Sequence, residues 1–117
     1  MSIRETMHKI VSTTGTSAPV PSDSELDRAQ RYVLAWLRRY HGYKGEFVKG
    51  LPNDEKECPV AKMLTQAHNR DYWVDGERYG WWSGLELPKP LPYWPETFVE
   101  YFDDGYYPEL EEDTIGP

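Results

Sequence analysis

The chain has 117 residues, of which 38% are hydrophobic and 15% aromatic, and it carries a net charge of -7. That length suits one domain with one core, able to bury about two thirds of its unfolded surface without metal or disulfide. Cys58 is the only cysteine, which excludes an internal disulfide and suits a reducing compartment, and the longest apolar run is Tyr32 to Leu37, too short for the roughly 20 residues of a membrane helix or the ~7 to 15 of a secretory signal.

Residues 1–21 read as a flexible arm and linker. The stretch Ser12 to Ser22 is polar, punctuated by Pro and Gly, and lacks periodicity. Ser22 followed by Glu25 forms a capping-box pattern, and apolar residues then recur at Leu26, Ala29, Val33, Trp36, Leu37 and Tyr40 before Gly42. This predicts a helix over 22–41 with an apolar stripe inward and Arg28, Arg31, Arg38 and Arg39 outward. Residues 42–57 read as a loop holding one brief strand at Glu46-Phe47-Val48.

Cys58-Pro59 predicts a second helix start, because Pro at the first helical position gives up a donor that is unpaired there anyway. Val60, Met63, Leu64 and Ala67 share one face, and Asn69 suits a left-handed terminator. Asp75-Gly76 between β-formers then predicts a hairpin with a two-residue turn, which sets Trp73 opposite Arg78 and Tyr72 opposite Tyr79. The second strand is expected to continue to Gly84. Pro88, Pro90, Pro92 and Pro95 predict an extended, polyproline-like run from Leu87 to Trp94. Pro95 would begin a third helix with Phe98, Val99, Tyr101 and Phe102 as buried candidates, ended by Asp103-Asp104-Gly105, and 109–117 read as an acidic, frayed tail. The expected fold is α+β: about three helices and one hairpin in a single domain over 22–108, around an aromatic core.

Charge divides the chain. Residues 1–70 hold eleven Lys/Arg against eight Asp/Glu, whereas residues 71–117 hold two against twelve. The acidic half disfavours nucleic acid and anionic membranes, and a protein partner with a basic or mixed surface is the natural complement. Twelve of the seventeen aromatic residues also follow position 70. Most belong in the core, and an exposed subset rimmed by carboxylates would resemble a binding hot spot. The nominated subset is Trp81, Trp82, Tyr93 and Trp94, where the hairpin meets the proline run.

Catalytic readings are weaker. A thiol at a helix N-terminus ionises more readily, so Cys58 is the candidate nucleophile of an enzyme alternative. The histidines are His8, His41 and His68, and His68 lies about 15 Å along the same predicted helix. A base for Cys58 would therefore have to be His8 or His41, brought by tertiary folding. The carboxylates at Asp103/Asp104 and Glu111 to Asp113 read as solvated surface, and no cofactor or metal is expected. Lys89 to Pro95 fits a proline-rich ligand pattern, but a connection packing Leu91 and Trp94 on its own core accounts for it. A nucleic-acid mimic, or a nucleic-acid binder through the arginine face of the first helix, completes the alternatives.

Two stretches, Cys58-Pro59-Val60-Ala61 and Phe98-Val99-x-x-Phe102-Asp103-x-Gly105-x-Tyr107-Pro108-x-Leu110, resemble a pattern in short uncharacterised proteins of actinobacteria and actinobacteriophages. The resemblance covers about a sixth of the chain and assigns no activity. It implies a bacterial or phage origin and a cytoplasmic location, the host cytoplasm if phage-encoded, where such small proteins often bind and modulate a host protein. The function expected is a small acidic protein-interaction module.

Overall fold

A computed structural model describes residues 20–82 and 87–112. Residues 1–19 of the expected N-terminal arm, the expected strand end at Gly84 and the last five residues fall outside them. Among the described residues no helix is long and apolar enough to cross a membrane.

Helix α1 runs Asp23–His41. Ser22 Oγ accepts from the Glu25 backbone at 3.1 Å while the Glu25 carboxylate reaches back to Ser22, and Gly42 closes the helix at φ 68°. Leu26, Ala29, Val33 and Leu37 form its buried stripe, with Trp36 partly buried, but Tyr40 stands exposed. It is the last apolar position before the Gly42 turn, beyond the reach of the core. Helix α2 runs Pro59–His68, with Cys58 as N-cap and Asn69 closing it at φ 55°.

Three antiparallel strands follow, β1 (Tyr72–Val74), β2 (Arg78–Trp81) and β3 (Lys89–Pro90), in that order across the sheet. The hairpin forms where Asp75-Gly76 predicts it, but its register differs: Tyr72 faces Trp81, Trp73 faces Gly80 and Val74 faces Tyr79. Asp75 explains the shift. Its carboxylate accepts from Glu77 and Arg78 backbone N–H at 3.0 and 2.8 Å, so Asp75 caps the turn rather than sitting in it, and Gly76 takes the positive φ of 97°. The slip of two positions keeps every side chain on its expected face.

Part of the expected polyproline run is a strand. Lys89 pairs with Tyr79 and Pro90 with Arg78 at the sheet edge, where a missing N–H is tolerated. Helix α3 then runs Tyr93–Asp103, starting two residues before Pro95. Pro92 is its N-cap and Pro95 its third residue, still within the turn whose N–H groups have no helical partner. Glu46-Phe47-Val48 forms no strand; Phe47 instead meets Phe98 edge-on at 5.3 Å.

The core lies where α1 packs on α2 and α3. Phe98 stacks on Phe102 and meets Tyr107, whose hydroxyl donates to the Leu26 carbonyl at 2.6 Å in the interior. Residues 109–112 are anchored rather than frayed. A 3-10 turn (Pro108–Leu110) leads to a parallel bridge between Glu111 and Gly50, the Leu110 carbonyl accepts from Gly50, and Glu112 pairs with Lys62 at 2.7 Å. Gly50 is required there, because a Cβ would collide with the Glu57 carbonyl and the Pro59 backbone.

Candidate functional sites

The four nominated aromatics divide into two pairs. Trp81 lies three residues past Arg78 along β2, whereas Tyr93 lies three residues past Pro90 in the antiparallel direction. The pairs therefore leave the sheet at opposite ends. Trp94 stacks on Tyr32 of α1 at 5.5 Å and meets Tyr93 edge-on at 5.1 Å, leaving Tyr93 68% exposed. Trp82 is exposed too, but the Lys56 ammonium lies 4.5 Å over its ring. Trp81 is partly buried, between Tyr72 at 5.9 Å and the Arg70 guanidinium at 4.9 Å.

At the Trp81 end the fold assembles an imidazole pair. His41 is the last residue of α1 and His68 the last of α2, so packing of the two helices brings their C-terminal ends together. His41 Nδ1 and His68 Nε2 lie 2.8 Å apart, and the Tyr79 hydroxyl lies 3.5 Å from His41 Nε2. Trp36 meets His41 edge-on at 4.6 Å, and His68 stacks on Tyr72 at 4.9 Å. Asn69 and a bond from the Tyr72 N–H to Thr65 Oγ1 reverse the chain so that Tyr72 lies under His68.

A helix C-terminus ordinarily favours protonated histidine. Here burial prevails, reinforced by the repulsion that a proton on His68 would exert and by the Lys89 ammonium, and holds the His41 pKa down to about 4. Burial also lowers His68, with Arg70 and Lys89 as further causes. Both rings are thus neutral at neutral pH. A concavity of about 360 Å³ opens onto them, also lined by Tyr40, Tyr79, Arg70, Trp81, Leu87 and Lys89.

A second groove lies between the hairpin tip and α3. Its polar lining is entirely acidic: Asp75 and Glu77 from the turn, and Glu96, Glu100, Asp103 and Asp104 from α3 and its end. Burial pushes both the Asp103 and Asp104 carboxyls up, although the Asn53 N–H donating to Asp103 Oδ1 at 2.8 Å opposes this for Asp103. At 100° per residue Tyr93, Glu96, Glu100 and Asp104 fall within an arc of about 80°. One face of α3 thus carries an exposed ring followed by carboxylates.

No family model, curated protein or solved structure matches the chain.

Cys58 is unsuited to the nucleophile role. The thiol is buried and burial pushes its pKa up to about 12, outweighing the Ala61 and Val60 N–H groups that favour the thiolate. Its sulfur accepts from the Ala61 N–H at 3.4 Å, and His41 is engaged with His68 and Tyr79. Among the described residues no three His, Cys, Asp or Glu side chains are grouped to hold a metal ion. The arginine face of α1 is partly occupied: Arg31 pairs with Asp27 at 2.9 Å, Arg38 donates to the Gly45 carbonyl and Arg39 lies over Tyr40. Sequence reasoning missed the histidine pair because 27 residues separate its members and only their shared position at helix ends hints at a meeting.

Proposed function

We propose that this chain is a protein-interaction module that takes a basic segment of another protein into the groove between the hairpin tip and α3. The observation that carries this reading is the groove's lining, six carboxylates and no cation among the described residues, with Arg78 at its edge paired to Asp75 at 3.6 Å. A complementary lysine- or arginine-rich segment steers into such a field and gains charge-assisted hydrogen bonds on arrival. Tyr93, at the N-terminal end of the same helical face, supplies an aromatic anchor of the kind that dominates small interfaces. On this reading Trp94 supports Tyr93 from below, while Trp81 and Trp82 lie away from the contact. The expected location is the cytoplasm, and the partner would be a host protein if the chain is phage-encoded.

The test is fluorescence polarisation with labelled peptides of equal length, one Lys/Arg-rich with an aromatic residue, the other its Glu/Asp counterpart. The basic peptide should bind with an affinity that falls as salt screens the pair. E96Q/E100Q/D104N should weaken it by at least about tenfold and Y93A by a similar factor, about the loss of one good interface contact, while W82A leaves it unchanged. Equal binding of the two peptides, or no effect of the triple variant, would refute the proposal.

A further inference from the structure

The imidazole-lined concavity has a character opposite to the rest of the protein. Among the described residues no Asp or Glu lines it, while Arg70 and Lys89 both do. Among the described residues neither cation is in an ion pair; Arg70 lies against the Trp81 ring. The walls are aromatic, Tyr40 and Trp81 among them, and the volume of about 360 Å³ lies within the range of small-molecule sites. Aromatic walls, two neutral imidazoles and two cations converging on one opening define a ligand type.

We propose that this concavity binds a small planar anion, an aromatic or heteroaromatic ring carrying a carboxylate or phosphate. The ring lies against Tyr40 and the open edge of Trp81, and the anionic group faces Lys89 and the Arg70 guanidinium held over the indole. The histidine pair supplies direction. An anion beside His68 selects the tautomer in which the Tyr79 hydroxyl donates to His41 Nε2 and His41 Nδ1–H donates to His68 Nε2, which leaves His68 Nδ1–H as the donor to the ligand. Polarisation through the 2.8 Å His41–His68 bond makes that last donor stronger than an isolated imidazole. A metal ion is the poorer occupant: the pair lacks a third ligand among the described residues, and both rim side chains repel a cation. This site is separate from the acidic groove, so either reading can fail without the other.

The experiment is NMR titration of the full chain, following the His41 and His68 imidazole and Trp81 indole resonances. The probes are 1-naphthoate, its neutral amide, AMP, adenosine, acetate and inorganic phosphate. A ring-bearing anion should give saturable shifts at those three residues in the sub-millimolar range. Its neutral partner and the ring-free anion should each bind at least about tenfold more weakly. If 1-naphthoate alone does so, the ligand is a carboxylate; if AMP alone, a phosphate. K89Q and R70Q should each weaken the preferred probe by roughly tenfold, the order expected for loss of one charge-assisted hydrogen bond. Equal binding of anion and neutral analogue, an unchanged affinity in both variants, or no saturable shift with either ring-bearing anion would overturn the proposal.

Discussion

Acid should destabilise this protein through His41. In the unfolded chain its imidazole takes up a proton near pH 6.5, whereas in the fold burial, repulsion from His68 as that ring protonates, and the Lys89 ammonium hold it neutral down to about 4. As pH falls below 6.5 the unfolded state therefore binds a proton that the folded state refuses. The stability in question is fully present above about pH 6.5 and is lost progressively down to about pH 4. At ~1.36 kcal/mol per pH decade the displacement is worth about 3 kcal/mol for a fully shielded ring, and the half-buried position reduces the expected loss to about 2 kcal/mol. Asp103 and Asp104 act in the opposite sense, since their carboxyls are pushed up and the fold gains from protonating them. A comparison of wild type with H41Q cancels that contribution. Urea unfolding followed by tryptophan fluorescence, at about pH 7 and about pH 4.5, should show wild type losing about 2 kcal/mol more than H41Q. Parallel losses in the two proteins would refute the reasoning.

Two further outcomes follow from the interior. Cys58 should react with a thiol-specific disulfide reagent at mildly alkaline pH orders of magnitude more slowly than a free thiol, and its rate should rise with urea, since the sulfur is buried with its pKa near 12; stoichiometric labelling of the folded protein within seconds would contradict that geometry. Y107F should lower unfolding free energy by about 1 to 2 kcal/mol, because it removes a hydroxyl that donates to Leu26 in the interior, 81 residues away; chemical denaturation measures the loss, and an unchanged midpoint would count against that bond.

Local chemistry made much of the fold legible. Ser22, Glu25 and Gly42 bound α1, and Cys58-Pro59 and Asn69 bound α2, because these residues satisfy backbone groups at a helix end within a few positions of themselves. The hairpin's existence was legible for the same reason. Its register was not, because Asp75 suits both a place in the turn and a cap on it, and the choice is made by its carboxylate reaching two N–H groups. The start of α3 was hidden by its prolines: Pro92 and Pro95 are compatible with an extended chain and equally with an N-cap and third helical residue. That ambiguity also hid the site. With Tyr93 in an extended run and the helix begun only at Pro95, Tyr93 shares no face with Glu96; wound into the helix from Tyr93 onward, it aligns with Glu96, Glu100 and Asp104.

The histidine pair shows the other limit. A histidine in the last turn of a helix reads by itself as a cation placed against the macrodipole, and both His41 and His68 fit that description. Facing each other at 2.8 Å they cannot both fill it, because that spacing needs an acceptor nitrogen on one ring. Tertiary packing thus converts two ordinary helix ends into a neutral, polarised unit. The fold thereby separates its two candidate surfaces by charge: cations and neutral imidazoles collect at the α1–α2 end, and carboxylates collect along α3 and the hairpin tip. A basic segment and a small anion would then be drawn to opposite ends of the sheet, so that binding at one leaves the other open.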